Sequence, residues 1–448
     1  MRQEWQKYQT GLAPRYTSYP SALHFNDSVG PERYGRALSA IGLYEALSIY
    51  IHIPFCAQLC WYCGCNMKVE NRYERVMPYV LALQDEIRMV GGLLGGRGRP
   101  VSLHFGGGTP NFLLPADLER ILDAIEMELG LTDDARLSIE LDPRLVREGD
   151  LDALAGMGFS RVSLGVQDFD PAVQAAINRV QSFDMIEHCV GLARAAGIND
   201  LSLDLLYGLP RQTEATFADT LAKAISLSPD RLAVFGYAHL PQALPRQRLI
   251  EEAALPGACV RADLTALADR TLIEAGYRRI GFDHYAKPDN ALAVALREGR
   301  LRRNFQGFTD DRARTTIGFG ASSVSFVNGL YAQNEKSVKA YQGAVAERRL
   351  PCAKGIVRTG LDTVCAAAIA DLLCRFRADL SGVFAGVGET HRRRMMARLD
   401  ALAADKVINF NRRDKIIQII PEAYGLCRTV AAAIDPRIDA GAVLSRAV

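Results

Sequence analysis

Three closely spaced cysteines are the residues of this sequence that most clearly predict chemistry. Cys56, Cys60 and Cys63 lie in the segment Cys-Ala-Gln-Leu-Cys-Trp-Tyr-Cys, so one tight loop carries three thiols. Cysteine thiolates of this kind hold the irons of a cubane four-iron, four-sulfur (4Fe-4S) cluster. Because three ligands leave the fourth iron of a cubane open, that iron is free to bind a further ligand. The spacing therefore predicts a reactive cluster rather than an electron store.

Zinc and a redox-active thiol pair are the alternatives for these cysteines. Zinc usually takes two separated cysteine pairs, or cysteines with histidines, whereas here only Cys65 follows the triplet and no second pair is found nearby. Cys60-Trp-Tyr-Cys63 has thioredoxin-like spacing, but such a pair has no use for Cys56. Six further cysteines are scattered through apolar stretches, where we expect buried thiols: Cys189, Cys259, Cys352, Cys365, Cys374 and Cys427.

A glycine-rich segment and an aromatic residue lie on either side of the cysteine loop in the sequence. Gly106-Gly-Gly-Thr-Pro110 matches neither the dinucleotide nor the Walker pattern, but its exposed backbone could bind a small zwitterion. Taken alone it would be an ordinary turn. Tyr50 offers an aromatic face that attracts a cation such as a sulfonium, or it is an ordinary strand aromatic.

Two acids and one arginine are further candidates for ligand binding. Glu140 and Asp204 occur in apolar strand patterns, and a buried carboxylate is costly unless it is paired. A ribose diol would be a natural partner, while a structural ion pair or helix cap is the alternative. Arg179 ends a short helical pattern, where a guanidinium suits an amino-acid carboxylate, or is a solvated surface group.

These candidates all occur at or near the ends of predicted strands. Short β-branched runs alternate with helix-period segments, which predicts parallel strand–helix units. The predicted strands are Leu47–Ile53, Val101–Phe105, Leu137–Leu141, Arg161–Val166, Leu201–Leu206 and Arg231–Phe235, and the predicted helices include Tyr79–Leu94, Ala116–Leu129, Phe183–Ala196 and Glu214–Ile225. Six units are fewer than the eight of a closed barrel, so we predict an α/β fold with a partial (β/α)6 TIM-like barrel. Its functional groups should gather at the carboxyl ends of the strands.

The sequence divides into four predicted parts, of which the barrel is one. Residues 1–46 form an N-terminal arm, 47–285 the barrel, 286–360 a barrel extension on the substrate side, and 361–448 a mostly helical, winged-helix-like cap. The cap pattern gives helices over Thr363–Arg377 and Glu389–Ala404, then a hairpin of Val407–Phe410 with Ile416–Ile420.

The composition is that of an ordinary globular chain. Hydrophobic residues make up 49%, and the formal net charge of +2 gives no sign of a nucleic-acid partner. There is no long uncharged apolar stretch and no apolar leader at the start, so we expect a cytoplasmic protein without a membrane span. We expect it to be a monomer.

The motifs together resemble a known family. The cysteine triplet with Gly107-Gly108-Thr109 one strand later resembles the radical S-adenosylmethionine (SAM) superfamily, and more closely the oxygen-independent coproporphyrinogen III oxidase (dehydrogenase) family. The segments that carry the closer resemblance span nearly the whole chain: Pro14-Arg-Tyr-Thr-Ser-Tyr-Pro20, Tyr50-Ile-His-Ile-Pro-Phe-Cys56, Cys63-Gly-Cys65-Asn66, His104-Phe-Gly-Gly-Gly-Thr-Pro110, Gly165-Val-Gln-Asp-Phe169, Asp204-Leu-Leu-Tyr-Gly-Leu-Pro210, Tyr237-Ala-His-Leu-Pro241, Asp283-His284, Asn304-Phe-Gln-Gly307 and Ser445-Arg-Ala-Val448.

The resemblance implies roles for individual residues. Cys56, Cys60 and Cys63 would ligate the 4Fe-4S cluster, whose open iron would chelate one SAM, while Cys65 would not be a ligand. The residues that match contacts to the cluster-bound SAM are Tyr50, Gly107, Glu140 and Val324. Those that match contacts to a second SAM are Tyr62, Gly108, Thr109, Gln167, Arg179, Asp204 and Ala238.

The resemblance also implies a reaction. SAM would be cleaved reductively to a 5′-deoxyadenosyl radical, which would abstract a β-hydrogen from a propionate before loss of carbon dioxide and one electron. Two such events would convert coproporphyrinogen III to protoporphyrinogen IX, with an unidentified electron donor and acceptor. For the substrate carboxylates the sequence offers only candidate cations: Arg15, Lys287, Arg302 and Arg303.

The chain departs from the family pattern near one predicted contact. Thr315 replaces an aspartate found in some members, and Ser323 stands where alanine is frequent, both close to Val324. Another tetrapyrrole-modifying radical SAM enzyme and the related haem chaperone are the alternatives. The Cys63-Gly-Cys65-Asn66 run and the N-terminal arm speak against the chaperone, whose relatives typically lack that run.

Overall fold

Six parallel strands form the centre of the computed structural model, which describes residues 5–9, 12–438 and 445–446. Each strand pairs in parallel with the next one along the chain. The strands are β1 (Ala46–Ile53), β2 (Arg99–Gly107), β3 (Arg136–Leu141), β4 (Phe159–Gln167), β5 (Asp200–Tyr207) and β6 (Arg231–Gly236). All six predicted strands are therefore confirmed, with small shifts at their ends.

Helices connect these strands and cover one face of the sheet. They are α1 (Met77–Leu94), α2 (Pro115–Leu129), α3 (Asp150–Gly156), α4 (Phe183–Ala195) and α5 (Glu214–Ser226), with α6 (Ala258–Glu274) after the last strand. The strand residues that face the helices are aliphatic: Ile49 and Ile51 of β1, for example, are fully buried in the main hydrophobic core. The four predicted helices are confirmed.

The opposite face of the sheet is polar and encloses space. A cavity of about 400 Å³ is lined by side chains from all six strands: Ser48, Ser102, Ser138, Arg161, Asp200 and Arg231. A flat sheet cannot direct side chains of six successive strands into one cavity, so this sheet is curved. The fold is accordingly the predicted partial barrel.

The barrel stays open because other strands extend the sheet at both edges. Beside β6, Arg278–Ile280 and His284–Ala286 pair antiparallel. Beside β1 lie, in order, β7 (Thr315–Phe319), which is parallel, and the antiparallel β8 (Val324–Val327), β9 (Leu330–Asn334) and β10 (Cys352–Val357). No pairing among the described residues joins the two edges.

A second core is formed by the C-terminal region together with the N-terminal arm. The region contains helices α7 (Gly360–Arg375), Ser381–Gly386, Glu389–Ala404 and Cys427–Ala433, and a three-stranded sheet of Arg377–Asp379, Ile408–Asn411 and Ile416–Ile419. The predicted helices and hairpin are thus confirmed, whereas the first strand of this sheet, Arg377–Asp379, was not predicted. Trp5, Tyr16 and Tyr19 of the arm are buried in this core.

The remaining elements are short. The other α-helices are Gln6–Gln9, Pro31–Ser39, Pro171–Ala176, Ala291–Arg297 and Val338–Ala346. Three further strand pairs are Leu12–Ala13 with Ser445–Arg446, Phe55–Cys56 with Lys68–Val69, and Arg302–Asn304 with Gly307–Thr309. Of the C-terminal family signature, Ala447 and Val448 lie outside the described residues.

The structure bears on two further expectations, the burial of the scattered cysteines and the lack of a membrane span. Five of the six scattered cysteines are buried, but Cys259 is exposed at the start of α6, so the expectation of burial is wrong there. None of the helices in the described ranges combines the length and the apolar composition needed to cross a membrane.

Candidate active site

The cysteine loop is closed by a strand pair and supplied with hydrogen-bond donors. Phe55–Cys56 pairs with Lys68–Val69, which brings the two ends of the loop together. Each of the three predicted ligand sulfurs accepts a hydrogen bond. Thr109 Oγ1 donates to Cys56 Sγ over 3.3 Å, Arg179 Nη1 to Cys60 Sγ over 3.5 Å, and the Cys65 amide to Cys63 Sγ over 3.4 Å. Donors at the sulfur favour the thiolate form, which is the form that binds iron.

The thiols themselves differ in acidity. Burial raises the pKa of Cys56 to about 12, against the hydrogen bond from Thr109. A hydrogen bond from the Cys65 side chain lowers the pKa of Cys63 to about 6, and the same bond raises that of Cys65 well above its usual range. That Cys65 is not a cluster ligand stays a prediction.

The glycines at the end of β2 let the cysteine loop lie directly on the sheet. A Cβ atom at Gly108 would stand 2.8 Å from Phe55 O and 3.1 Å from Cys56 Sγ, so no larger residue fits. Gly107 has φ 118°, which L-residues rarely adopt. The Gly108 amide donates to Ile53 O over 2.8 Å and fixes this contact.

Glu140 is held by donors from β2. His104 Nε2 lies 3.3 Å from Glu140 Oε1, and the Gly107 amide donates to Oε2 over 3.2 Å. Burial acts to raise the pKa of Glu140, but the hydrogen bond and charge of His104 outweigh it and lower this pKa below its ordinary value. Tyr50 lies on β1 beside His104 in the parallel register, and the two rings stack with their centroids 6.0 Å apart. Glu140 is therefore a fixed carboxylate at the carboxyl end of β3.

Asp204 and Gln167 line one cavity together with the cysteine loop. Ser163 Oγ donates to Asp204 Oδ1 over 3.0 Å. Burial first, and then the charge of Glu140, raise the pKa of Asp204 to about 6. Gln167 has φ 70° where the β4–β5 register shifts, and this bulge ends β4 at the cavity.

Arg179 is buried rather than solvated, so the surface alternative is wrong. Its guanidinium donates to Gly165 O over 2.7 Å and to Asp142 Oδ2 over 3.3 Å. Asp142 also accepts from Arg144, whose Nη2 lies 3.7 Å from Cys60 Sγ. The sequence reasoning missed Asp142 and Arg144; the signal was their position directly after β3 and Glu140.

One cavity of about 530 Å³ brings most of the predicted site residues together. They are Cys56, Cys60, Tyr62, Cys63, Gly107, Gly108, Thr109, Glu140, Gln167, Arg179, Asp204 and Ala238. Tyr50 stands behind this wall, against Gly106 and His104. Val324 instead lines a neighbouring cavity and packs with Phe25 and Tyr331.

The candidate cations for substrate carboxylates are separated by the structure. Arg15 lines the same cavity as the cysteines. Arg302 and Arg303 line the neighbouring cavity. Lys287 donates to Ser228 O and pairs with Asp230 at the amino end of β6, so the suggestion that it meets the substrate was wrong.

The arrangement of the thiols fits a cubane cluster. Within the described ranges, no three Cys, His, Asp or Glu side chains converge as ligands of one metal ion. A single zinc ion needs such convergence, whereas a cubane takes its thiolates on different irons. The three sulfurs line a shared cavity, and each accepts a hydrogen bond of the kind that tunes an iron–sulfur cluster.

This chain is similar to known proteins over most of its length. The radical SAM superfamily model matches residues 50–224. The oxygen-independent coproporphyrinogen III oxidase of Bradyrhizobium diazoefficiens is 40% identical over 97% of this chain and 97% of its own length. That of Cereibacter sphaeroides is 41% identical over 94% of this chain and 93% of its own.

A solved structure shows the same architecture over nearly the full length. The coproporphyrinogen III oxidase from Escherichia coli, described as a radical SAM enzyme, superimposes with a TM-score of 0.88 at 38% identity. The match covers 94% of this chain and 97% of that chain. The chain therefore belongs to the oxygen-independent coproporphyrinogen III oxidases, a family of radical SAM enzymes.

Proposed function

We propose that this enzyme converts coproporphyrinogen III to protoporphyrinogen IX without oxygen, by oxidative decarboxylation of two propionates to vinyl groups. The observation that carries the proposal is the single cavity in which the hydrogen-bonded thiols meet the acids of β3 and β5. The relatives that share this chain's full length carry the name of that activity.

The radical SAM fold implies a 4Fe-4S cluster and SAM, and we assign their contacts to this chain's residues. Cys56, Cys60 and Cys63 ligate the cluster. When bound, the cluster and SAM supply the radical chemistry that removes a hydrogen from a propionate. Glu140 accepts hydrogen bonds from the first SAM, and its carboxylate is kept ionised and oriented by His104.

The remaining contacts to the first SAM follow from the strand ends. Gly107 exposes backbone to the ligand, and Tyr50 supports Glu140 from behind through His104. Val324 lies in the neighbouring cavity, so its assignment rests on the family pattern alone.

We also propose a second SAM in the same cavity. Its contacts are Tyr62, Gly108, Thr109, Gln167, Arg179, Asp204 and Ala238. Two features support them: Asp204 is a half-buried carboxylate with one donor, which suits a ribose diol, and Arg179 is a buried guanidinium that suits a carboxylate.

The protein's own part in the reaction is to bind, orient and exclude water. The cavity lies at the carboxyl ends of the barrel strands, beside a buried apolar core, and we propose that the bound substrate closes its open side against solvent. We further propose that residues 1–46, 47–285, 286–360 and 361–448 act as arm, barrel, barrel extension and cap. The enzyme is proposed to be a cytoplasmic monomer served by a separate electron donor and acceptor.

One anaerobic experiment tests the function. The purified chain is reconstituted with iron and sulfide, supplied with SAM, a reductant and an electron acceptor, and given coproporphyrinogen III. We expect protoporphyrinogen IX and carbon dioxide. Tight stoichiometric haem binding without carbon dioxide release would instead support the haem chaperone, and a methylated tetrapyrrole would support another radical SAM reaction.

The cluster assignment is tested by two matched variants. Cys63→Ser should lose cluster iron and the visible cluster absorbance, because it removes one of three ligands. Cys65→Ser, two residues away in the same loop, should keep both. A Cys63→Ser protein with full cluster iron and full activity would refute the assignment.

A further inference from the structure

A cavity rich in arginine lies beside the candidate active site. It has a volume of about 370 Å³ and lies between residues 16–19 of the arm, the strand pair at 302–309, strands β8 and β9, and helix α7. Four arginines line it, and no acidic residue is found among the described residues of its wall. We call it the arginine cavity; its arginines are Arg302, Arg303, Arg314 and Arg358. Such a wall suits a ligand with several negative charges.

Two of these arginines have donors to spare. Arg302 Nη2 and Arg303 Nε and Nη1 are buried and hydrogen-bond to nothing in the part of the chain that the structure describes. Arg303 is only 9% exposed, and its nearest acid, Asp283, is 3.9 Å away. Asp283 in turn has a shorter contact of 2.6 Å with His284 Nδ1. Buried polar groups normally find partners, so these donors point to a ligand.

The other arginines of this cavity differ. Arg358 donates to Tyr19 O and to the Tyr331 hydroxyl, both over 2.7 Å, and thereby ties the arm to β9. Arg314 is exposed. Among these four arginines, the buried donors without a partner are therefore those of Arg302 and Arg303.

A third cavity of about 220 Å³ lies between the arginine cavity and the active-site cavity and shares wall residues with each. That space shares Thr17, Arg303 and Phe305 with the arginine cavity. With the active-site cavity it shares Arg15, Phe235, Gly236, Tyr237 and Ala238. The three cavities are therefore adjacent, in a row that runs from the cysteine loop to Arg302.

We propose that Arg302 and Arg303 bind propionates of the tetrapyrrole that are not reacting, which rests on the proposed function. Coproporphyrinogen III carries four propionates, so while one faces the cluster the others need cationic partners. A guanidinium binds a carboxylate through paired hydrogen bonds. Aromatic walls such as Phe305 and Phe326 accommodate the pyrrole rings beside them.

The binding experiment uses coproporphyrin III, the stable oxidised form of the substrate, titrated into reconstituted enzyme by fluorescence. Arg302→Gln and Arg303→Gln should each weaken binding by about tenfold, because each removes a charge-assisted pair. Arg297→Gln is the control: it removes the same charge from an exposed residue of the preceding helix. It should leave the Kd within about twofold, as expected for a remote surface charge. The tetramethyl ester, which has no carboxylate, should bind all four proteins with the same weak affinity.

Two further readouts separate this inference from the proposed function. Cluster absorbance and SAM cleavage without substrate should be unchanged in both variants. If wild type makes protoporphyrinogen IX but Arg302→Gln and Arg303→Gln bind coproporphyrin III as wild type does, the inference is overturned and the function stands. If wild type makes none yet binding depends on both arginines, the carboxylate site stands and the function is overturned. Should Arg303→Gln unfold, because its guanidinium packs on Phe282 and Phe308, Arg302→Gln decides.

Discussion

The donors to the three cysteine sulfurs come from different parts of the chain. Thr109 follows β2, Arg179 lies beyond β4, and the third donor is the amide of Cys65 in the loop itself. Hydrogen bonds to cluster sulfurs help to set the reduction potential. The environment of the three sulfurs is thus built jointly by the loop and by two strand ends, although only the loop carries the proposed ligands.

The acidity of Asp204 gives a prediction at the residue scale. Its pKa is raised to about 6 by burial and by Glu140. The ionised carboxylate is the better acceptor for two ribose hydroxyls, so SAM affinity at the proposed second site should rise as pH increases from about 5.5 to 7.5. Asp204→Asn should remove this pH dependence, measured by equilibrium SAM binding to the reconstituted enzyme.

The matched control for this prediction lies on the same strand. Asp200 is at the other end of β5, where it pairs with Arg231. Asp200→Asn should therefore keep the pH dependence of wild type. A pH profile in Asp204→Asn that matches wild type would exclude Asp204 as the responsible group.

Residue types at strand ends predicted most of the candidate site, and the exceptions have physical reasons. Glu140 and Asp204 stood out because acids are rare in apolar strands. Arg144 did not stand out, because its contact is with Cys60, which lies 84 positions away in the sequence. Val324 was assigned by family pattern, and its side chain packs in another cavity.

At the scale of elements, helix α1 anchors the strands that extend the barrel. Glu86 of α1 is fully buried and accepts from Tyr341 Oη over 2.6 Å, from Asn334 Nδ2 over 2.7 Å and from the Gly320 amide over 2.8 Å. Gly320 directly follows β7, Asn334 is the last residue of β9, and Tyr341 lies in the helix Val338–Ala346. One carboxylate therefore fixes the turn after β7, the end of β9 and the helix Val338–Ala346.

The burial of Glu86 predicts a pH-dependent stability. Burial raises its pKa to about 7 despite the three hydrogen bonds. Since the folded protein binds the proton more tightly than the unfolded chain, this group's contribution to stability falls as pH rises from about 4.5 to 7, by up to about 3 kcal/mol. In Glu86→Gln this component should be absent, so its free energy of unfolding should change less over that range.

Urea unfolding of the two proteins at several pH values measures the difference. The comparison of slopes is independent of the hydrogen bonds that the amide cannot replace, because those act at every pH. Asp85→Asn, at the exposed neighbouring position of α1, should follow the wild-type slope. Parallel curves for wild type and Glu86→Gln would contradict the raised pKa.

The elements themselves were predictable where local periodicity is strong. The six barrel strands are short β-branched runs, and several of the helices between them end at a glycine, as at Gly130 after α2. Strands β7 to β10 were not predicted. They are short, and their place in the sheet is set by pairing with β1 and with one another, which local sequence does not report.

At the scale of the whole molecule, the arm links the barrel to the C-terminal region. Trp5 is buried in the C-terminal core, and Arg428 donates to the carbonyls of Ala13 and Pro14. Residues 16–19 of the same arm line the arginine cavity. The sequence predicted an ordered arm but not this position, because the contacts join residues that are some 400 positions apart.

Asp435 accepts the hydrogen bonds that hold part of the N-terminal arm against the C-terminal region. The hydroxyls of Tyr16 and Tyr19 both donate to its carboxylate, over 3.0 and 2.9 Å, and all three residues are buried. Asp435→Ala leaves two buried hydroxyls without their acceptor, so the free energy of unfolding should fall by about 2 to 4 kcal/mol. Because the arm forms one wall of the arginine cavity, coproporphyrin III should also bind more weakly, while cluster absorbance should be unchanged.

Asp414→Ala, in the exposed hairpin turn, is the control and should alter neither stability nor coproporphyrin III binding. Wild-type stability and binding in Asp435→Ala would show that other contacts hold the arm in place.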